Sequence, residues 1–209
     1  MHPCPQHRPA RQGAAALRAG HRLRGGVPGK ALSAGASPRR RHQHLQSWLS
    51  FLCREAVSAA SQGRIHSLSA AEACGFIGCL VVETGSPDLA QLDVIEAGSG
   101  AGRGAMQYTG ARRTAYERAR NAAQTSGIDT GGNDWQQRYF AEVYAGLHDP
   151  SAGSPIGWSR VFEDRPAGMN AAEAAAYWTG SAAACCGYFR PAVPHLQRRQ
   201  QEAPRVWGL

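Results

Sequence analysis

The chain has 209 residues, 43% of them hydrophobic, which is enough for one well-buried core and gives no reason to expect a second domain. Its net charge of +8 would ordinarily point to an anionic partner, but up to Arg54 there are ten basic residues and no acid, while from Glu55 onward thirteen basic residues stand against all fifteen acids. The basicity therefore belongs to the N-terminal stretch, and the remainder is slightly acidic.

Residues 1–45 mix Pro, Gly, Ala, Arg and His without periodicity, as in Pro9-Ala10-Arg11-Gln12-Gly13 and Pro38-Arg39-Arg40-Arg41-His42. Such a composition cannot bury enough apolar surface to order itself, so a disordered basic tail is expected there, followed by a folded domain over 46–209. The tail reads either as an arm for nucleic acid or cell wall, or as sequence upstream of the true start codon. An Arg-rich, acid-free start also has the composition of an organelle transit peptide. The short apolar run Gly13 to Leu17 is closed by Arg18, which is not a signal peptide, and no stretch approaches a membrane-spanning length.

From Trp48 the pattern turns helical: Trp48, Leu49, Phe51, Leu52, Ala56, Val57 and Ala60 form an apolar face, and Gly63 closes the segment. Ser69-Ala70-Ala71-Glu72 is a capping-box signature for a second helix, which is apolar nearly all round through Val82 and stops at Thr84-Gly85-Ser86-Pro87. Residues 88–108 hold short strand-like pieces and a glycine cluster at 98, 100, 102 and 104, predicting a small hairpin or irregular loop. Helices are predicted at roughly 110–126, 134–147, 158–164, 171–186 and 194–203. The fold class read from these elements is mainly α, or α+β, with one small β-hairpin or irregular insertion and no internal repeat.

Cysteines at 4, 53, 74, 79, 185 and 186 show no C-x-x-C pair, so they read as reduced, mostly buried thiols, and neither a metal nor another cofactor is expected. Gly98-Ser99-Gly100-Ala101-Gly102-Arg103-Gly104 superficially suggests a nucleotide loop, but no G-x-G-x-x-G register fits and alternating strands are absent. Arg112, Arg113, Arg118 and Arg120 read as a solvated helix face.

Glu83 is the informative residue, an acid at the end of a helix whose preceding turns are almost wholly apolar. The partial negative charge of a helix C-terminus and burial beside Leu80, Val81 and Val82 would both disfavour its ionised form. A Glu kept partly protonated can donate a proton to a glycosidic oxygen, the general-acid step of glycan cleavage. The bland reading is a Glu turned to solvent at a frayed helix end.

Gly75-Phe76-Ile77-Gly78-Cys79-Leu80-Val81-Val82-Glu83-Thr84 is followed by Gly104-Ala105-Met106-Gln107-Tyr108-Thr109-Gly110-Ala111-Arg112-Arg113. This pair of segments, in this order and spacing, resembles the phage tail lysozyme family, which is related to lysozymes and soluble lytic transglycosylases. In that family a helix ending in Glu-Ser is followed by a loop and a Gly-Leu-Ala-Gln-Trp-Thr-Gly-like segment. Here Thr84, Met106 and Tyr108 replace the Ser, Ala and Trp. Gly187-Tyr188-Phe189-Arg190-Pro191 resembles the family's Tyr-Glu-Arg-Pro segment, with Phe189 where an acid is usual. The resemblance covers roughly residues 47–203 and implies a lysozyme-like fold.

It implies Glu83 as catalytic acid, Gln107 as a substrate-binding amide, Tyr108 as an aromatic wall of a saccharide cleft and Tyr188 as a weaker contact of the same kind, with core packing as the bland reading of both tyrosines. Among Asp88, Asp93 and Glu96, Glu96 is the chosen second carboxylate because it borders the glycine-rich loop. The implied function is a phage tail- or virion-associated glycosidase (muramidase) or lytic transglycosylase acting on bacterial peptidoglycan, with other virion or tail proteins as further partners. The alternative is a catalytically inactive structural virion protein of the same fold.

Overall fold

The structure, a computed structural model, describes residues 38–63, 65–145, 165–180 and 194–208. Residues 1–37, the helix predicted at 158–164, Cys185, Cys186 and Tyr188 lie outside the described residues. Seven helices run through them: α1 Pro38–Cys53, α2 Glu55–Ala60, α3 Ala70–Thr84, α4 Gly110–Thr125, α5 Asn133–Tyr144, α6 Ala171–Thr179 and α7 Pro194–Trp207. The domain is mainly helical. In place of strands, the described residues hold two isolated antiparallel bridges, Ile95 with Arg103 and Arg103 with Tyr108, which make the insertion between α3 and α4 a small irregular hairpin.

α3 is the central element. Its N-terminus is fixed by the predicted capping box: Glu72 N donates to Ser69 Oγ at 3.3 Å, and Ser69 N donates to Glu72 Oε2 at 2.7 Å. Every residue from Glu72 to Val81 is buried, as an all-round apolar helix requires. Two glycines let its neighbours come close. A Cβ on Gly75 would lie 2.6 Å from Ala174 Cβ and Ala175 N on α6, and a Cβ on Gly78 would lie 2.8 Å from Ala203 N on α7. Phe76 packs edge-on against Trp178 of α6 at 5.6 Å between ring centroids and against Phe140 of α5 at 5.2 Å, joining four helices in one core with Trp48 of α1.

Three element boundaries differ from expectation. The first helix begins at Pro38, inside the segment expected to be disordered, and its buried stripe of Trp48 and Leu52 is extended by one turn to Leu45. It then breaks at Arg54, whose extended backbone (φ −115°, ψ 176°) starts α2, and the carbonyl of Leu52 accepts from Leu68 N at 2.9 Å instead of continuing the helix. The helix predicted over 171–186 stops at Thr179, because Gly180 takes the left-handed conformation at φ 80° that ends a helix. α7, predicted to stop at 203, runs through Pro204, since Ala203 and Val206 are both buried and their packing outweighs the lost backbone hydrogen bond. No described helix is long and apolar enough to cross a membrane.

Candidate active site

Glu83 is the penultimate residue of α3, and its side chain retains 20% exposure. The turn around it is closed by its neighbour: Thr84 Oγ1 donates to Leu80 O at 2.8 Å and accepts from Ser86 N at 3.2 Å. A hydroxyl at 84 thus finishes the helix, a task that Ser and Thr perform alike. The expected surroundings of Glu83 need correcting. Its carboxylate does not face apolar side chains alone, because Oε1 accepts from Nη2 of Arg199 on α7. Arg199 is only 2% exposed and lies beside Cys79, whose thiol is 3.7 Å from Oγ1 of Thr179 at the end of α6. Burial pushes the Cys79 thiol up to about 11 against the opposing pull of the Arg199 cation.

The insertion is held by a second polar cluster. Asp93 receives Arg103 through two hydrogen bonds, Nε to Oδ1 at 2.9 Å and Nη2 to Oδ2 at 3.2 Å, together with Nε of Arg120 and the Tyr116 hydroxyl at 2.9 Å. Burial pushes the Asp93 carboxyl up, and the hydrogen bonds from Arg103, Arg120 and Tyr116 more than reverse this, leaving it below the usual carboxylate range. Gln136 of α5 extends the cluster: its Nε2 donates to the Tyr116 hydroxyl at 2.7 Å and to Thr130 O at 2.8 Å, and its Oε1 accepts from Ala105 N at 3.2 Å. Asp93 is therefore a structural hub, and Asp88 closes the turn after α3 by accepting from Ser86 Oγ and Ala90 N.

Glu96 accepts from Gly102 N at 3.1 Å and from Ser99 Oγ, holding the glycine-rich loop that it borders. Gln107 lies at φ 48°, a left-handed backbone rare for a residue with a side chain, and its Nε2 donates to Gly104 O at 2.9 Å. Its amide nitrogen thus braces the turn, and none of the hydrogen bonds of Glu96 or Gln107 reaches Glu83. Tyr108 is 2% exposed, stacked on Tyr116 at 5.3 Å and edge-on to Tyr139 at 5.5 Å. The insertion folds inward over α4 and α5 and packs this ring in the core.

Arg199 is what the sequence reading missed. Leu196, Arg199, Ala203 and Val206 share one face of α7, so an arginine on a stripe that is otherwise apolar was the available signal.

The profile of the phage tail lysozyme family matches residues 56–209, from the second residue of α2 through α7 to the last residue. The chain belongs to the phage tail lysozyme family. Membership makes it a lysozyme-like protein of a family that acts on peptidoglycan. Both halves of the family-like motif fall inside the match, the first as the C-terminal half of α3 and the second as the Gly104–Tyr108 turn leading into α4. Comparison with curated proteins and with solved structures finds no match.

Proposed function

We propose that this member of the family cleaves the glycan strands of bacterial peptidoglycan with Glu83 as general acid, acting from the phage tail or virion on the host cell wall. The observation that carries the reading is Glu83 itself, a partly exposed carboxylate at the end of the buried central helix, anchored through one oxygen. A general acid has to hold one geometry against the glycosidic oxygen, and a rigid helix end fixed by Thr84 supplies that.

The described acids of the insertion support a single-acid route. Asp93 is engaged through both oxygens by two arginines and a tyrosine, Glu96 and Asp88 each hold a backbone turn through one oxygen, and none of their hydrogen bonds reaches Glu83, so the proposed route gives the acid step to Glu83 alone. In that route Glu83 protonates the leaving oxygen as the glycosidic bond breaks, and its carboxylate then takes the proton of an internal sugar hydroxyl that closes on the anomeric carbon, which restores the acid, as in lytic transglycosylases. Gln107 then serves by shaping the rim of the insertion.

Zymography on purified peptidoglycan, wild type against Glu83→Gln, tests the acid. Gln is nearly isosteric but cannot deliver a proton, so a loss of roughly 100- to 10,000-fold is expected with folding and wall binding retained. Cleavage at the wild-type rate by the Gln variant would remove Glu83 from the mechanism, and a wild type that binds the wall without cutting it would leave the structural virion protein. Mass spectrometry of the released fragments separates anhydro ends from reducing ends, and with them transglycosylase from hydrolase.

A further inference from the structure

We infer that Arg199 is the positioning residue of Glu83, holding its carboxylate in one orientation from the far side of the α3–α7 crossing. This rests on the reading of Glu83 as the acid. Arg199 is buried to 2% exposure, and a guanidinium removed from water requires compensating charge and hydrogen bonding. Part of that compensation is Glu83, next to the end of α3, and the guanidinium also lies against Cys79, whose thiol is 3.7 Å from Oγ1 of Thr179, the last residue of α6.

The approach of α7 is built into α3. A Cβ at Gly78 would meet Ala203 N at 2.8 Å and the backbone oxygen of Arg199 at 3.0 Å, so only glycine lets the backbone that carries Arg199 come this close, five residues before Glu83. The contact uses one carboxylate oxygen. Oε1 accepts from Arg199, while Oε2 makes no hydrogen bond among the described residues. An oxygen anchored in this way fixes the orientation of the carboxylate. Stability alone gives little reason for the pair, since buried ion pairs are poor stabilisers compared with apolar packing.

The test compares wild type, Arg199→Lys, Arg199→Met and Glu83→Gln for kcat and KM on soluble glycan-strand fragments, with thermal melting alongside. Arg199→Met is expected to lower kcat by about a hundredfold with KM within about twofold, the effect of a reacting group misplaced by about 1 Å. Arg199→Lys keeps the charge with a single ammonium in place of a planar fork, and should recover kcat to several-fold below wild type. If Arg199→Met does not fold, Arg199→Lys decides: a several-fold kcat loss at unchanged KM supports positioning, and wild-type kcat overturns it. A loss carried by KM alone also overturns it. An inactive Glu83→Gln beside fully active Arg199 variants refutes positioning and leaves the acid standing, whereas an active Glu83→Gln removes both.

Discussion

Asp93 shows how much one side chain can organise: two arginines and a tyrosine hydroxyl from α4 and the insertion converge on it. Asp93→Asn removes the counter-charge that Arg103 and Arg120 share and leaves Arg103 with Glu117 alone, 3.6 Å away. The expected cost is on the order of 2 kcal/mol, below the ~3–5 kcal/mol of a fully buried pair because all three groups keep partial exposure. The pH dependence follows from the direction of the Asp93 shift. Its folded carboxyl lies below its unfolded value of about 3.9, so the stabilisation is fully present above that pH and is lost as pH falls through the folded value. Urea unfolding of wild type and Asp93→Asn at about pH 7 and about pH 3 checks this. The gap between them should narrow in acid, and a pH-independent gap would mean that the carboxylate charge is not what holds the cluster.

At the scale of elements, the α3–α7 crossing sets two effects against each other. Replacing a helical glycine with alanine normally stabilises a helix by about 1 kcal/mol. At Gly78 the added methyl would instead meet backbone atoms of α7 at 2.8 to 3.0 Å, which no side-chain rotation can relieve. Overpacking of that kind costs about 1–3 kcal/mol, so packing decides the sign and Gly78→Ala should lower the melting temperature. Because the same shift carries Arg199 away from Glu83, cleavage should fall more than stability alone explains. Thermal melting and rate measurement on one preparation check both, and a stabilised Gly78→Ala would show that the crossing tolerates a wider separation.

For the whole molecule, α1 determines where the helical unit starts. Leu45 is buried, and His44 Nδ1 lies 2.9 Å from Asn133 Nδ2 on α5, so the turn of α1 that carries them is tied to the core. A chain beginning at residue 46 should melt lower than one beginning at residue 38, by about 5 °C or more. Losing one buried leucine removes about 1.5–3 kcal/mol, and a domain of this size shifts by about 2–4 °C per kcal/mol. Equal melting curves would place the start of the stable unit after Leu45.

Local chemistry made several features legible in the sequence. The Ser69–Glu72 capping box, the all-round apolar α3 and the glycine-rich insertion all follow from near neighbours, and so does the placing of Glu83 at a helix end. The two-part motif around Glu83 and Gln107 brought the family into view, because order and spacing survive without knowledge of the fold. What tertiary structure decided were matters of which elements meet. The sequence left Tyr108 open between cleft wall and core, and only the inward fold of the insertion onto Tyr116 and Tyr139 buries it. The surroundings of Glu83 looked apolar because helix periodicity reports only residues on the same helix. The arginine that meets it lies 116 positions later in the chain, brought there by a glycine whose role is visible only once two helices cross.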